Sequence, residues 1–229
     1  MKIKDFQKLT LLDFPGKVAC TVFTAGCNLR CPFCHNALLV TEIDDRFVKE
    51  EEFFAFLKSR VGVLDGVAIT GGEPLLQPGI GKFIAKIKAM GFAVKLDTNG
   101  TFPQVLSEIL SSGNVDYVAM DIKNSPEKYA RTVAIADLDM TLIEKSVKII
   151  MESGVDYEFR TTVTREDFTE QDFEKIGLFI KGAERYYLQA FKDSGNLIGE
   201  GNTPPDRDTM LKFRSICEKY VKTCALRGI

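Results

Sequence analysis

Short apolar runs rich in β-branched and aromatic residues alternate along the chain with stretches whose apolar positions recur every three or four residues. The runs at 18–23, 66–70, 92–97, 115–121, 156–163 and 185–190 read as strands. Helical periodicity is predicted over 49–60, 80–90, 102–112, 142–153 and 170–181, with a last helix over 207–221. In the fourth of these, Leu142, Ile143, Val147, Ile150 and Met151 share one face, while Glu144, Lys145 and Lys148 point away. Six strand–helix units in series predict an α/β fold, a parallel sheet with its helices packed outside. No Gly/Ser-rich linker or low-complexity stretch divides the chain, so residues 1–229 read as a single domain.

The unusual polar residues gather where the strands end. A cysteine-bearing loop follows the first strand, Gly71-Gly72-Glu73-Pro74 the second, and Asp97-Thr98-Asn99-Gly100 closes the third. Asp121-Ile122-Lys123 ends the fourth, Arg160 and Thr162 lie in the fifth, and Gln189 ends the sixth. A doubly wound sheet would concentrate such residues at one switch point. A barrel, or part of one, brings all the strand ends to a single mouth. Six populated ends favour the curved sheet.

The cysteine loop carries the sharpest signal. Cys27, Cys31 and Cys34 are spaced C-x3-C-x2-C, with no fourth cysteine in the loop. Iron–sulfur clusters normally take four cysteines, so three would leave one iron open to a ligand. Structural zinc through Cys27, Cys31, Cys34 and His35 is the competing reading. Such sites usually use two separated ligand pairs, and His35 adjoins Cys34 too closely to share a tetrahedral centre with it easily. Three unligated core cysteines would be a further alternative, but a loop containing Asn28, Arg30 and Pro32 makes a poor core. Cys20, within the first strand, reads as small apolar filling, and Cys217 and Cys224, seven apart in or just after the last helix and on one face, read as packing residues.

Composition narrows the function classes. Hydrophobic residues make up 45% and charged residues 27%, as in an ordinary globular protein. The formal charge of −2, from 30 basic and 32 acidic residues, gives no basic bias toward nucleic acid. No run reaches membrane-spanning length and the first residues lack an apolar signal core. Six cysteines without such a signal point to a reducing, cytoplasmic setting, where cysteine more often means metal or catalysis than disulfide.

These features resemble the radical S-adenosylmethionine (SAM) superfamily over nearly the whole chain. Its signature is the C-x3-C-x2-C motif with an aromatic residue, here Phe33, before the third cysteine. Leu12-Asp13-Phe14-Pro15-Gly16 and Cys34-His35-Asn36 resemble activating enzymes of glycyl-radical proteins, most closely those of the anaerobic ribonucleoside-triphosphate reductase type. The resemblance implies a partial (βα)6 barrel in which Cys27, Cys31 and Cys34 hold a 4Fe–4S cluster and SAM chelates the open iron. It implies that one electron, from an external donor such as flavodoxin or ferredoxin, cleaves SAM to methionine and a 5′-deoxyadenosyl radical. The partner implied is a glycyl-radical protein.

Residue by residue, Gly71, Gly72 and Glu73 match the motif that meets the SAM amino group. Asp97, Thr98 and Asp121 match a monovalent-cation site near the SAM carboxylate, and Asn99 falls near the ribose. Lys123 matches a lysine that contacts SAM. Arg160, in an otherwise apolar strand, needs an anionic partner, expected to be the SAM carboxylate or the partner's glycine loop; Gln189 is expected at the adenine or ribose edge. His35 is expected to shape the cluster loop, and residues 124–137 to form a long loop that meets a protein partner. A pyruvate formate-lyase activase shares the same chemistry. A small-molecule enzyme such as a deazaguanine-forming synthase is another alternative, although those tend to carry Asp-Thr where this chain has His35-Asn36.

Overall fold

The computed structural model describes residues 1–41 and 46–229. In chain order the strands are β1 (Ile3–Thr10), β2 (Ala19–Thr24), β3 (Gly66–Gly71), β4 (Ala93–Thr98), β5 (Tyr117–Asp121), β6 (Asp156–Val163), β7 (Arg185–Ala190) and β8 (Thr223–Arg227). The helices are α1 (Ala37–Thr41), α2 (Glu50–Lys58), α3 (Ile80–Ala89), α4 (Pro103–Ser111), α5 (Pro126–Thr132), α6 (Met140–Glu152), α7 (Glu170–Phe179) and α8 (Arg207–Cys217). All six predicted strands form, as β2 to β7. Local chemistry marks the helix starts: Asp139 and Asp206 accept hydrogen bonds from the amides of Thr141 and Thr209, and Thr169 and Asp172 form a reciprocal capping box. Prolines open α4 and α5, where a missing N–H costs nothing.

One sheet contains all eight strands in the order β1 to β8; β1 runs antiparallel to β2 and every other pair is parallel. The sheet does not close on itself, so the six-unit barrel is partial, as expected, with β1 and β8 as edges. Among the described residues no helix is long and apolar enough to cross a membrane.

Strand period and register sort the residues into two environments. Outward side chains such as Val67, Ile69, Val94, Leu96, Val118, Met120, Phe159 and Leu188 are fully buried under the helices, against Phe53, Phe83, Leu106, Ile143 and Phe173. Inward positions combine charged and polar side chains with small alanines. Lys95 stands level with Ala68 and Tyr117, Asp97 with Ala119, and Asp121 with Arg160. The main apolar core therefore lies between sheet and helices, leaving the barrel interior for charge.

Three expectations need correction. The last helix ends at Cys217 rather than 221, and the chain turns back through Lys222 N–H to Ala183 O (2.9 Å) into β8. Cys217 and Cys224 thus lie on a helix end and an edge strand, not one helix face, although both are buried and their thiols meet. Residues 124–137 are not an open loop: α5 occupies their centre, Tyr129 is buried, and Ser125 Oγ donates to Asp172 (3.0 Å). The edge strands β1 and β8 went unpredicted because β1 is half solvated, with weak alternation, and β8 spans only five residues.

Candidate active site

A cavity of about 460 Å³ opens at the C-terminal ends of the parallel strands, within the size range of small-molecule sites. Its wall includes Phe23 of β2, Thr70 of β3, Asp97 of β4, Asp121 of β5, Arg160 and Thr162 of β6, and Gln189 of β7. In a flat sheet, β2 and β7 would lie roughly 24 Å apart at about 4.8 Å per strand. Curvature alone brings both to one wall. Every residue expected at the site lines this cavity, Cys27, Cys31, Phe33, Cys34, Gly71, Gly72, Thr98, Asn99 and Lys123 included, with one exception, Glu73.

The cysteine loop is held by backbone contacts from distant parts of the chain. Gly26 adopts φ 87°, a left-handed conformation suited to glycine, and its N–H donates to Leu39 O at 2.8 Å. Glu73 N–H donates to Gly26 O (2.9 Å), Arg30 N–H to Val133 O (3.0 Å) and Gly199 N–H to Pro32 O (2.9 Å). Asn28 donates to Thr101 Oγ1 (2.9 Å) and accepts from Asn99 (3.0 Å), and Asn36 donates to Gly71 O (3.0 Å). None of the three loop cysteines is in a disulfide. Burial pushes the Cys31 thiol up to about 11 and raises Cys27, and Cys34 raises both further. His35 stacks on Phe191 with centroids 5.8 Å apart, and burial followed by the charge of Lys123 lowers its basicity. That contact suits the loop-shaping role expected of it.

Gly72 packs against the cysteine loop so closely that a β-carbon there would lie 2.5 Å from the Gly26 carbonyl carbon, with the carbonyl oxygen closer still. The Glu73 carboxyl turns away from the cavity and is fully buried. It accepts from Leu75 N–H (3.0 Å), Thr98 Oγ1 (2.9 Å) and Asn99 N–H (2.7 Å), so it orders the β4 loop instead of lining the wall. Burial pushes its pKa up to about 7, against those three hydrogen bonds.

The charged wall is tightly paired. Arg160 donates from Nε to Asp121 Oδ1 (3.0 Å) and from both terminal nitrogens to Asp97 Oδ2 (3.3 Å). Lys123 donates to Asp121 Oδ2 (3.0 Å), and Lys95 to Asp97 Oδ1. Burial would raise Asp97 and Asp121, but Arg160 together with Lys95 at Asp97 and Lys123 at Asp121 outweighs it and holds both below the ordinary carboxylate value. Burial likewise works against the charge on Lys123 and Arg160, and the surrounding anions, Asp121 first and Asp97 also for Arg160, more than restore it. Three cations thus face two carboxylates, an arrangement that can accept one more anionic group. Lys95, Asn28, Gln77 and Asn36 were not read as site residues. Only Lys95 carried a usable signal, a lysine two positions before Asp97 and so on the same strand face.

The donor set suits a cluster with one open iron. Three soft thiols line one cavity, no fourth cysteine lies among the lining residues, and glycine backbone clears the approach. Among the described residues no three His, Cys, Asp or Glu side chains form a group that could hold a single metal ion. A cluster instead takes each thiolate on a separate iron. The monovalent-cation site fares differently, because the carboxylates of Asp97 and Asp121 already bind cations of the chain itself.

The family model described as the radical SAM superfamily matches residues 21–180. The chain is 33% identical over 233 residues to a Methanocaldococcus jannaschii protein bearing the name of a glycyl-radical enzyme activating enzyme, covering 99% of this chain and 96% of the relative. It is 31% identical over 167 residues to a 7-carboxy-7-deazaguanine synthase of Koribacter versatilis, covering 72% of this chain and 70% of the relative. Among solved structures, Streptococcus suis SuiB bound to S-adenosylmethionine superimposes with a TM-score of 0.72 at 14% identity. That match covers 89% of this chain but 48% of SuiB, and shows a shared fold.

Proposed function

The chain belongs to the radical SAM superfamily and, within it, to the glycyl-radical enzyme activating enzymes, and on that footing we propose that it activates an anaerobic ribonucleoside-triphosphate reductase. The observation that carries the reading is the convergence of Cys27, Cys31 and Cys34 with a cationic wall in one cavity at the sheet's C-terminal edge. Cys27, Cys31 and Cys34 are the ligands of the 4Fe–4S cluster that the family uses. Held there by Cys27, Cys31 and Cys34, the cluster would supply the single electron that cleaves SAM to methionine and a 5′-deoxyadenosyl radical, and that radical would take the Cα hydrogen of a partner glycine, leaving 5′-deoxyadenosine and a glycyl radical.

This chain's residues position and shield. Arg160 and Lys123 offer the surplus positive charge to the SAM carboxylate, and their pairing to Asp97 and Asp121 fixes both in place before SAM arrives. Glu73 acts indirectly, holding Thr98 and Asn99 in the wall that faces the nucleoside. Phe33 and Gln189 complete that wall, and Gly71 and Gly72 let backbone approach closely.

A large protein substrate fits the flank of the cavity. Leu9, Leu11 and Leu12 are 55%, 68% and 90% exposed, and the neighbouring Gln7 and Asp13 line the cavity. An exposed apolar run beside a reactive site suits docking of a glycine-bearing segment of the reductase.

The test is 5′-deoxyadenosine yield from anaerobically reconstituted protein given SAM and a strong reductant, comparing wild type with Cys31→Ala. Adding anaerobic reductase should raise a glycyl-radical electron paramagnetic resonance signal with wild type alone. A signal with pyruvate formate-lyase and none with any reductase would reassign the partner. Turnover of a free metabolite without protein partner would favour the deazaguanine-type alternative.

A further inference from the structure

We propose that Lys95 is a built-in counter-ion that takes the place of the monovalent metal cation expected beside Asp97, so that this chain binds SAM without one. The proposal rests on the reading of the cavity as a SAM site.

Three ligands were expected to hold that cation: Asp97, Thr98 and Asp121. Each is already engaged. Lys95 and Arg160 divide the two oxygens of Asp97, and Arg160 and Lys123 divide those of Asp121. The Thr98 hydroxyl donates to Glu73 Oε1 (2.9 Å) and accepts from Gly100 N–H (3.1 Å). A metal ion here would displace a fixed donor and set four positive charges against two negative ones in a buried wall. The expected ligands do not fit the expected cation.

Lys95 is not there by accident of rotamer. Its place in β4, two residues before Asp97, aims it at the barrel interior, level with Ala68 and Tyr117. The residue is 2% exposed, so its stem cannot carry the ammonium out to water. A buried ammonium requires an anion, and the carboxylate two residues along supplies it. A covalently tethered cation needs no binding equilibrium, so its occupancy is independent of salt. Lys95 acts through Asp97 and is a positioning residue.

The experiment titrates SAM by calorimetry into the full-length, anaerobically reconstituted protein at constant ionic strength. Tetramethylammonium, too large for an oxygen-lined site, serves as the sole monovalent cation in one series, and potassium or sodium replaces it in the others. Wild-type affinity should agree across all three within about twofold. Lys95→Met should bind about tenfold more weakly in tetramethylammonium and recover most of the loss in potassium or sodium, because the vacated Asp97 oxygen can then take a metal. A purely structural role for Lys95 would give no such rescue. A wild type that loses tenfold in tetramethylammonium overturns the proposal, as does a Lys95→Met protein that matches wild type or that no metal restores. Should Lys95→Met fail to fold, the wild-type salt comparison decides alone. No SAM binding in any salt would bring down the reading of the cavity itself, a result distinct from salt-dependent binding.

Discussion

Gly72→Ala puts the coupling between the glycine loop and the cysteine loop to a direct test. Gly72 does not have positive φ, so alanine meets no backbone penalty of its own. The cost is steric. The new β-carbon would sit 2.5 Å from the Gly26 carbonyl carbon and closer still to its oxygen, against ordinary contacts that begin near 3.4 Å, so the backbone must give by more than about 1 Å. Overpacking of that kind costs about 1–3 kcal/mol. Separation of the two segments also lengthens the Glu73 N–H to Gly26 O bond, now 2.9 Å, for about 1 kcal/mol more. Together these amount to about 2–4 kcal/mol, or roughly 5–15 °C in Tm for a chain of this size. The assay is a thermal melt of the cluster-free protein followed by iron content after anaerobic reconstitution, with iron expected to fall well below wild type. Gly81→Ala is the matched control. In α3 its β-carbon would lie 3.9 Å from the Ile109 Cγ1, and relief of helical glycine should stabilise by about 0.5 kcal/mol. A Gly72→Ala protein that melts with wild type and loads full iron would refute the claim that this contact holds the cysteine loop in place.

Other perturbations read the buried charges. Burial lifts Glu73 above its ordinary 4.5 to about 7, so the native state holds that proton more tightly than the unfolded chain, an advantage complete below pH 4.5 and lost as pH rises through 7. Urea titrations should therefore show wild type losing about 3 kcal/mol relative to Glu73→Gln from pH 4.5 to above 7, and a constant gap would contradict the burial argument. Arg160→Met removes the charge that depresses Asp97 and Asp121; stability those carboxylates lend above their ordinary value is lost on acidification, so the variant should unfold at higher pH than wild type. An unchanged acid midpoint would show that Lys95 and Lys123 suffice. Arg227→Met strands Glu158, which is 1% exposed and takes two bonds from Arg227 at 2.7 and 2.9 Å, and should cost about 3 kcal/mol with early hydrogen exchange in β8. A cost near zero would mean that Tyr117, which donates to Glu158 at 2.9 Å, carries that carboxylate alone.

What the sequence revealed was governed by local pattern. Buried strands such as β6 and β7 announce themselves through apolar runs, and their ends are read to the residue. The half-solvated edges β1 and β8 lack that pattern, since packing on one side does not demand alternation over their full length. At the site, strand-end position and the family resemblance gathered the cysteines and most of the polar wall, but not Thr70 or Asn36. They could not assign partners. Glu73 carries a site motif yet faces its own loop, because the direction of a carboxyl depends on which amides lie nearby in space. Arg160 was expected to need an anion, and the anions proved to be Asp97 and Asp121, at separations of 63 and 39 residues that no periodicity encodes.

The bracing of the cysteine loop also sets an order of events during synthesis. Cys34 leaves the ribosome early, but the groups that shape its loop arrive at Glu73, Asn99, Thr101, Val133 and finally Gly199. Strand order equal to chain order lets the sheet grow one neighbour at a time behind the ribosome. The full set of contacts around the three thiols is therefore available only when nearly nine-tenths of the chain has emerged. The brace from Gly199 to Pro32 is the last of these to form, and a chain ending before Gly199 would carry the motif without it.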